Sequence, residues 1–211
     1  MKSIIAATTL SVLLLAACHD DEPEAAAASV TVGNAPMAAG NYLVSIGDEN
    51  SPTSGRLYQA ANGSRMLIVN DAGDLASAIY TSSTNGVWQR VPPAPQGEHI
   101  ELQQSSAMPG SSSQLAGDYS TLVQGVATGF SLASDGKISA SANVGCKLSG
   151  QLDAAEFSPG VRKLSLTFSQ CALLSGTLSG VLIQDADYAP ARLRMVLDNG
   201  TQITELWAYA E

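Results

Sequence analysis

The stretch FSLASDGKISASA, residues 130–142, holds two alternating runs about one Asp-Gly pair. Phe130 and Leu132 point one way on the first limb. Ile138, Ala140, Ala142 and, just beyond, Val144 share one side of the second. A two-residue turn at Asp135-Gly136 would pair Leu132 with Ser139 and set the two apolar rows on opposite faces. A three-residue loop, Ser134 to Gly136, pairs Leu132 with Ile138 and Phe130 with Ala140, so that all face one core. Loops of this kind take a left-handed residue at their last position, and Gly136 stands there. The stretch is therefore predicted to be a β-hairpin closed by a glycine bulge.

The same grammar extends outward. Leu164, Leu166 and Phe168 alternate with Ser165, Thr167 and Ser169, the pattern of a half-buried strand. The preceding run, Cys146 to Leu152, is expected to pair with it, joined by the loop Asp153–Gly160. Asn62-Gly63, Asn85-Gly86, Asp135-Gly136 and Asn199-Gly200 are turn dipeptides. Between the earlier ones lie short strand-like runs at Arg65–Asn70, Asp74–Tyr80 and Gly86–Val91. No stretch offers a long amphipathic helix. The fold class read from this pattern is all-β, an antiparallel β-barrel or sandwich.

A faint repeat divides the chain. Ala39-Gly40-Asn41-Tyr42 echoes Ala116-Gly117-Asp118-Tyr119, and Ser54-Gly55-Arg56-Leu57-Tyr58-Gln59 echoes Ser179-Gly180-Val181-Leu182-Ile183-Gln184. Arg65-Met66 and Arg194-Met195 follow in the same order. Two related β-units are expected, at 38–92 and 115–211, either as separate lobes or within one barrel. The Pro-, Gly- and Ser-rich segment 93–114 would connect them.

The amino terminus has a different logic. Lys2 is the only charge before Asp20, and an apolar run between them ends in small residues. It is shorter than the roughly 20 residues a membrane-spanning helix needs, and it has the build of a secretory signal peptide, residues 1–17. Leu15-Ala16-Ala17-Cys18 then resembles the lipobox of bacterial lipoproteins. The resemblance implies cleavage before Cys18, acylation of that cysteine, and anchoring in a membrane through several acyl chains. His19, rather than aspartate, follows the cysteine, which by the sorting rules of such lipoproteins points to the outer membrane. Residues 18–37, acidic and then alanine-rich, would form a flexible tether. With Cys18 acylated, Cys146 and Cys171 remain as an even pair in an oxidising compartment and are expected to form a disulfide. The carboxy-terminal half, with Gly117-Asp118-Tyr119, Gly145-Cys146 and Cys171-Ala-Leu-Leu-Ser-Gly176, is weakly similar to small β-rich proteobacterial lipoproteins of unassigned activity.

The net charge is −9, and loss of Lys2 with the signal segment makes it one unit more negative. Such a surface argues against nucleic acid as a partner and suits a basic protein partner. Signals for catalysis are few. His19 lies in the tether. His99, between Glu98 and Glu101, is the single plausible base for a triad and otherwise reads as a solvated strand residue. No GxSxG elbow and no HExxH occurs. Ser134 and Lys137 match a Ser-x-x-Lys spacing, but a glycine turn separates them. Asp185, Asp187 and Asp198 lack the spacing of a calcium loop. No cofactor or metal is expected. Trp207 and Tyr209, which share one face of the last strand, and Trp88 are the candidate binding face; otherwise each reads as a structural anchor with its ring buried and its polar tip near solvent. The expectation is a non-catalytic, envelope-anchored module that binds a protein or small ligand. The alternatives are an inhibitor or immunity lipoprotein that neutralises a toxin, and a hydrolase using His99.

Overall fold

Residues 30–33, 38–47, 50–84, 86–94, 97–110, 114–142 and 145–211 are described by a computed structural model. The hairpin forms as its apolar rows require: Leu132 pairs with Ile138 and Phe130 with Ala140. Ala133 N donates to Lys137 O at 2.9 Å, and Gly136 takes φ +85° at the loop's last position. Val144 lies outside the described residues, as do the signal segment, Cys18 and the tether up to residue 29.

The chain is all-β, in two barrel-like sheets. The first holds β1 (Thr31–Gly33), β2 (Gly40–Ile46), β3 (Thr53–Gln59), β4 (Arg65–Asn70), β5 (Ala76–Ser82), β6 (Trp88–Val91) and β7 (His99–Met108). Its order is β1-β7-β2-β3-β4-β5-β6. Val30, just before β1, bridges Trp88 on β6, so the sheet nearly closes. The second holds β8 (Gly117–Val123), β9 (Val126–Leu132), β10 (Lys137–Ala140), β11 (Lys147–Ser158), β12 (Val161–Ser169), β13 (Gly176–Ile183), β14 (Leu193–Asp198) and β15 (Ile203–Ala210). It is a closed barrel in the order β10-β11-β12-β13-β14-β15-β8-β9.

Three expectations are corrected. Residues 30–33, assigned to the tether, belong to the first sheet: Thr31–Gly33 pairs along β7, and Val30 is buried where it bridges Trp88 on β6. The connection 93–114 contains the whole of β7, because Ile100 and Leu102 alternate inward and are buried despite the turn-rich composition around them. The loop Asp153–Gly160 is strand instead. β11 continues to Ser158 through register shifts after Leu152 and Glu156, and only Pro159-Gly160 turns the chain. Those shifts break the alternation from which a strand is read.

Cys146 and Cys171 are disulfide-bonded at the open end of the β11–β12 hairpin, beside the pairs Lys147–Ser169 and Leu148–Phe168. Each sheet encloses its own core: Leu57, Leu67, Tyr80 and Trp88 in the first; Phe130, Leu148, Leu166 and Met195 in the second. A third cluster lies between the sheets. Tyr58, Met66, Ile68 and Ile79 of the first unit meet Val181, Ile183 and Val196 of the second.

The repeated tyrosines do the same work. Tyr42 Oη donates to Ala38 O at 2.7 Å and Tyr119 Oη to Leu115 O at 2.7 Å, each four residues back. Gly55 and Gly180 are likewise alike: a Cβ would lie 3.0 Å from Ile68 O at the first and 2.0 Å from Val196 O at the second. The Arg-Met echo is out by one residue. Gly55 pairs with Val69 and Gly180 with Leu197, so Met66, opposite Tyr58, corresponds to Arg194, opposite Ile183. A one-residue slip exchanges the two faces of a strand. Arg194 consequently points out of its barrel toward the other unit.

Candidate functional site

The ribbons β3–β4–β5 and β13–β14–β15 turn their outer faces toward each other, and that decides what lies between the units. β4 and β14 are buried on both faces, one toward their own core and one toward the partner sheet. Arg194, on β14, is 1% exposed. Its Nε donates to Glu205 Oε1 at 3.0 Å and its Nη2 to Glu205 Oε2 at 3.2 Å, a two-point pairing across β14–β15. Nη2 also reaches Asn70 Oδ1 at 3.0 Å, and Glu205 Oε2 accepts from Ala76 N at 2.6 Å. Second-unit residues thus grip the β4–β5 connection of the first. A reciprocal clasp joins Arg56 of β3 to Asp185. Both guanidiniums lie over the Tyr188 ring, at 4.8 Å and 5.8 Å from its centroid. Burial works to lower the pKa of Arg194, but Tyr188 and the Glu205 carboxylate outweigh it and raise it, which keeps the side chain charged. Burial, with Tyr188 beside it, pushes the Tyr58 hydroxyl well above the ordinary tyrosine range.

Beside this clasp the two sheets part to leave a cleft of about 590 Å³. Its floor is Met66 and Ile79 from the first unit and Val181 and Val196 from the second, with Phe157 at one side. Arg65, Lys163 and Asp198 stand among the polar groups around it. Past Phe157 and Lys163 the cleft continues into a groove of about 600 Å³ that is lined more by polar groups, including Asp153 and Glu156. Volumes in this range hold small organic ligands, and an apolar floor with a few polar groups at its edge is the usual build of such sites. Among the described residues no three of His, Cys, Asp and Glu converge on a metal-sized site.

The residues singled out in the sequence are spread over the molecule. Trp88 is in the core of the first sheet. Trp207, on the outer face of β15, is half-buried between the units, edge-on to Tyr188 with ring centroids 5.0 Å apart. Tyr209, two residues on, is 42% exposed. The three do not form one face. His99 projects from β7 with its side chain 60% exposed; Thr31 Oγ1 is 2.8 Å from Nδ1 and Glu101 Oε2 is 3.1 Å from Nε2. Asp185 and Asp187 are not on a strand. Asp185 caps the 3-10 turn Ala186–Tyr188, accepting from Asp187 N at 3.0 Å, while Asp198 accepts from Gly200 N at 2.8 Å beside the cleft. Sequence reasoning missed Arg194, Glu205 and the cleft floor. The signal for them was the near-continuous apolar runs Met66–Val69 and Met195–Leu197, where one buried face would have given alternation. No protein family, no curated protein and no solved structure matches this chain.

Proposed function

We propose that the protein is a lipid-anchored, non-catalytic binding module of the bacterial cell envelope, tethered through Cys18 at the outer membrane, with the cleft between its two β-units as the binding site. The observation that carries the binding reading is that cleft: an apolar floor assembled from both units, open to solvent, with charged side chains around it. The anchoring half rests on the lipobox-like Leu15-Ala16-Ala17-Cys18 behind an apolar segment, and the paired cysteines are in keeping with an oxidising compartment. Metabolic labelling with palmitate should mark the protein, and Cys18→Ser should abolish the label. Label that persists in the Cys18→Ser protein would sink the anchor.

Two rival readings remain testable. The acidic net charge suits a basic toxin held by an inhibitor; there the partner would cover an acidic face, and charge reversal on that face, not in the cleft, would abolish binding. The hydrolase reading has one observation in its favour, the series Thr31–His99–Glu101. That series sits on open surface, where no excluded water strengthens a developing charge. A His99→Ala protein that retains every cellular phenotype would remove it.

A further inference from the structure

We infer that the cleft between the units takes a single-chain anionic amphiphile, of the fatty-carboxylate class, with its head at Arg65 and Lys163 and its chain along the floor. The inference rests on the reading of the cleft as the binding site and adds the chemistry of its occupant.

Charge bookkeeping across the molecule motivates it. Acidic side chains outnumber basic ones 19 to 10 in the chain, so carboxylate partners for its cations are plentiful. Arg56, Arg90, Arg162 and Arg194 each stand within ion-pair reach of a carboxylate. Arg65 and Lys163 have no ion pair and no side-chain hydrogen bond among the described residues, and both line this one cleft. Arg65 is only partly exposed. Lys137 and Lys147 are also unpaired and, like Lys163, exposed, but they line neither groove of the cleft.

Register supplies the direction. Lys163 pairs with Val181 and Val181 with Val196, so one row across β12–β13–β14 runs from a cation onto an apolar floor. Asp198 lies two residues beyond Val196 on the same face of β14. An anionic head is drawn to Arg65 and Lys163 and repelled from Asp198 on one side and from Asp153 and Glu156 in the adjoining groove on the other. The body is left against apolar surface from Phe157 and Val87 and the edges of Met66, Ile79 and Val181, with Ser64, Thr81 and Gln89 among the polar groups at its sides. One chain suits a cleft of about 590 Å³.

The test uses the full-length protein in its own membrane and a photoreactive long-chain fatty acid, with cross-links mapped by mass spectrometry. Cross-links should concentrate in peptides of β4, β5, β13 and β14. Excess oleate should remove them, whereas the matching fatty alcohol should not. Arg65→Gln with Lys163→Gln should reduce cleft labelling by roughly tenfold or more, since the loss of even one charge-assisted hydrogen bond is of that scale; Lys137→Gln should leave it unchanged. Equal competition by the alcohol would overturn the anionic head. Preferential competition by a lysophospholipid would replace the carboxylate with a phosphate and overturn the class. Cross-links scattered over the surface would overturn the site. The same spectra report the lipid on Cys18, so an acylated protein with an unlabelled cleft defeats this inference alone, and a protein without acyl chains defeats the anchored reading.

Discussion

Arg194 shows how one residue can hold two sheets. An arginine in a strand would ordinarily reach solvent, yet this one is 1% exposed, and its partners come from both units. Removing one member of a buried pair leaves the other charge uncompensated, at a cost of about 3–5 kcal/mol. Arg194→Met should therefore lower the unfolding free energy by about that amount in urea titrations. Arg194→Met combined with Glu205→Leu should recover part of it, because the stranded carboxylate is then gone. A single variant costing well under about 1 kcal/mol would mean that water reaches Glu205. Tyr58 gives the second residue-scale expectation. Burial raises its folded pKa, so folded and unfolded chains are both protonated below about pH 10. Above that, the unfolded chain releases the proton while the folded chain holds it, and stability falls as pH rises. Tyr58→Phe should flatten the alkaline side of the stability profile, and an unchanged slope would assign the loss to other groups. Neither residue announced itself in the sequence. "ARLRMVLDNG" carries Arg194 as any surface strand would, and only the register of β13 with β14 decides that the face bearing it meets the partner sheet.

At the scale of elements, legibility followed alternation. The hairpin around Asp135-Gly136 could be read to its register because a two-residue turn would have split its apolar rows. The same reasoning failed at Asp153–Ser158, where the bulged part of β11 presents no alternating row. At His99–Met108 it placed His99 on a strand but missed how far that strand runs, because turn-rich composition masked its ten residues. The hairpin supplies a direct check. Gly136 takes φ +85°, and a Cβ there would meet Leu152 O at 2.9 Å, so strain and contact act together. Gly136→Ala should cost at least about 1–2 kcal/mol, the penalty of a left-handed backbone at an L-residue plus the displaced neighbour. Gly145→Ala, with open space around its Cβ, is the control and should be close to neutral. Equal effects at the two sites would mean that the loop rearranges to a different turn.

At the scale of the whole molecule, the number of units was legible and their packing was not. Repeated tyrosines and turn dipeptides pointed to two related sheets; the near-continuous apolar runs of β4 and β14 mark strands covered on both faces, but no local pattern tells that the outer faces of β3–β5 and β13–β15 cover each other. That covering should make the two units unfold together. Ile68 is 0% exposed on the outer face of β4, and Val196 is 0% exposed on the outer face of β14, so either sheet alone would expose a wide apolar face to water. Calorimetry of the intact protein should accordingly give one transition, with equal calorimetric and van't Hoff enthalpies. A charge placed in the shared face uncouples the units without touching either interior: Ile68→Lys should split the transition in two, the second barrel retaining its disulfide and closed sheet. Leu148→Ala, a cavity inside the second barrel, should instead lower one undivided transition, by about 2–5 kcal/mol. Two well-separated transitions in the unaltered protein would show that the shared face contributes little. The cleft would then join two independent lobes and would no longer be a site with a fixed floor.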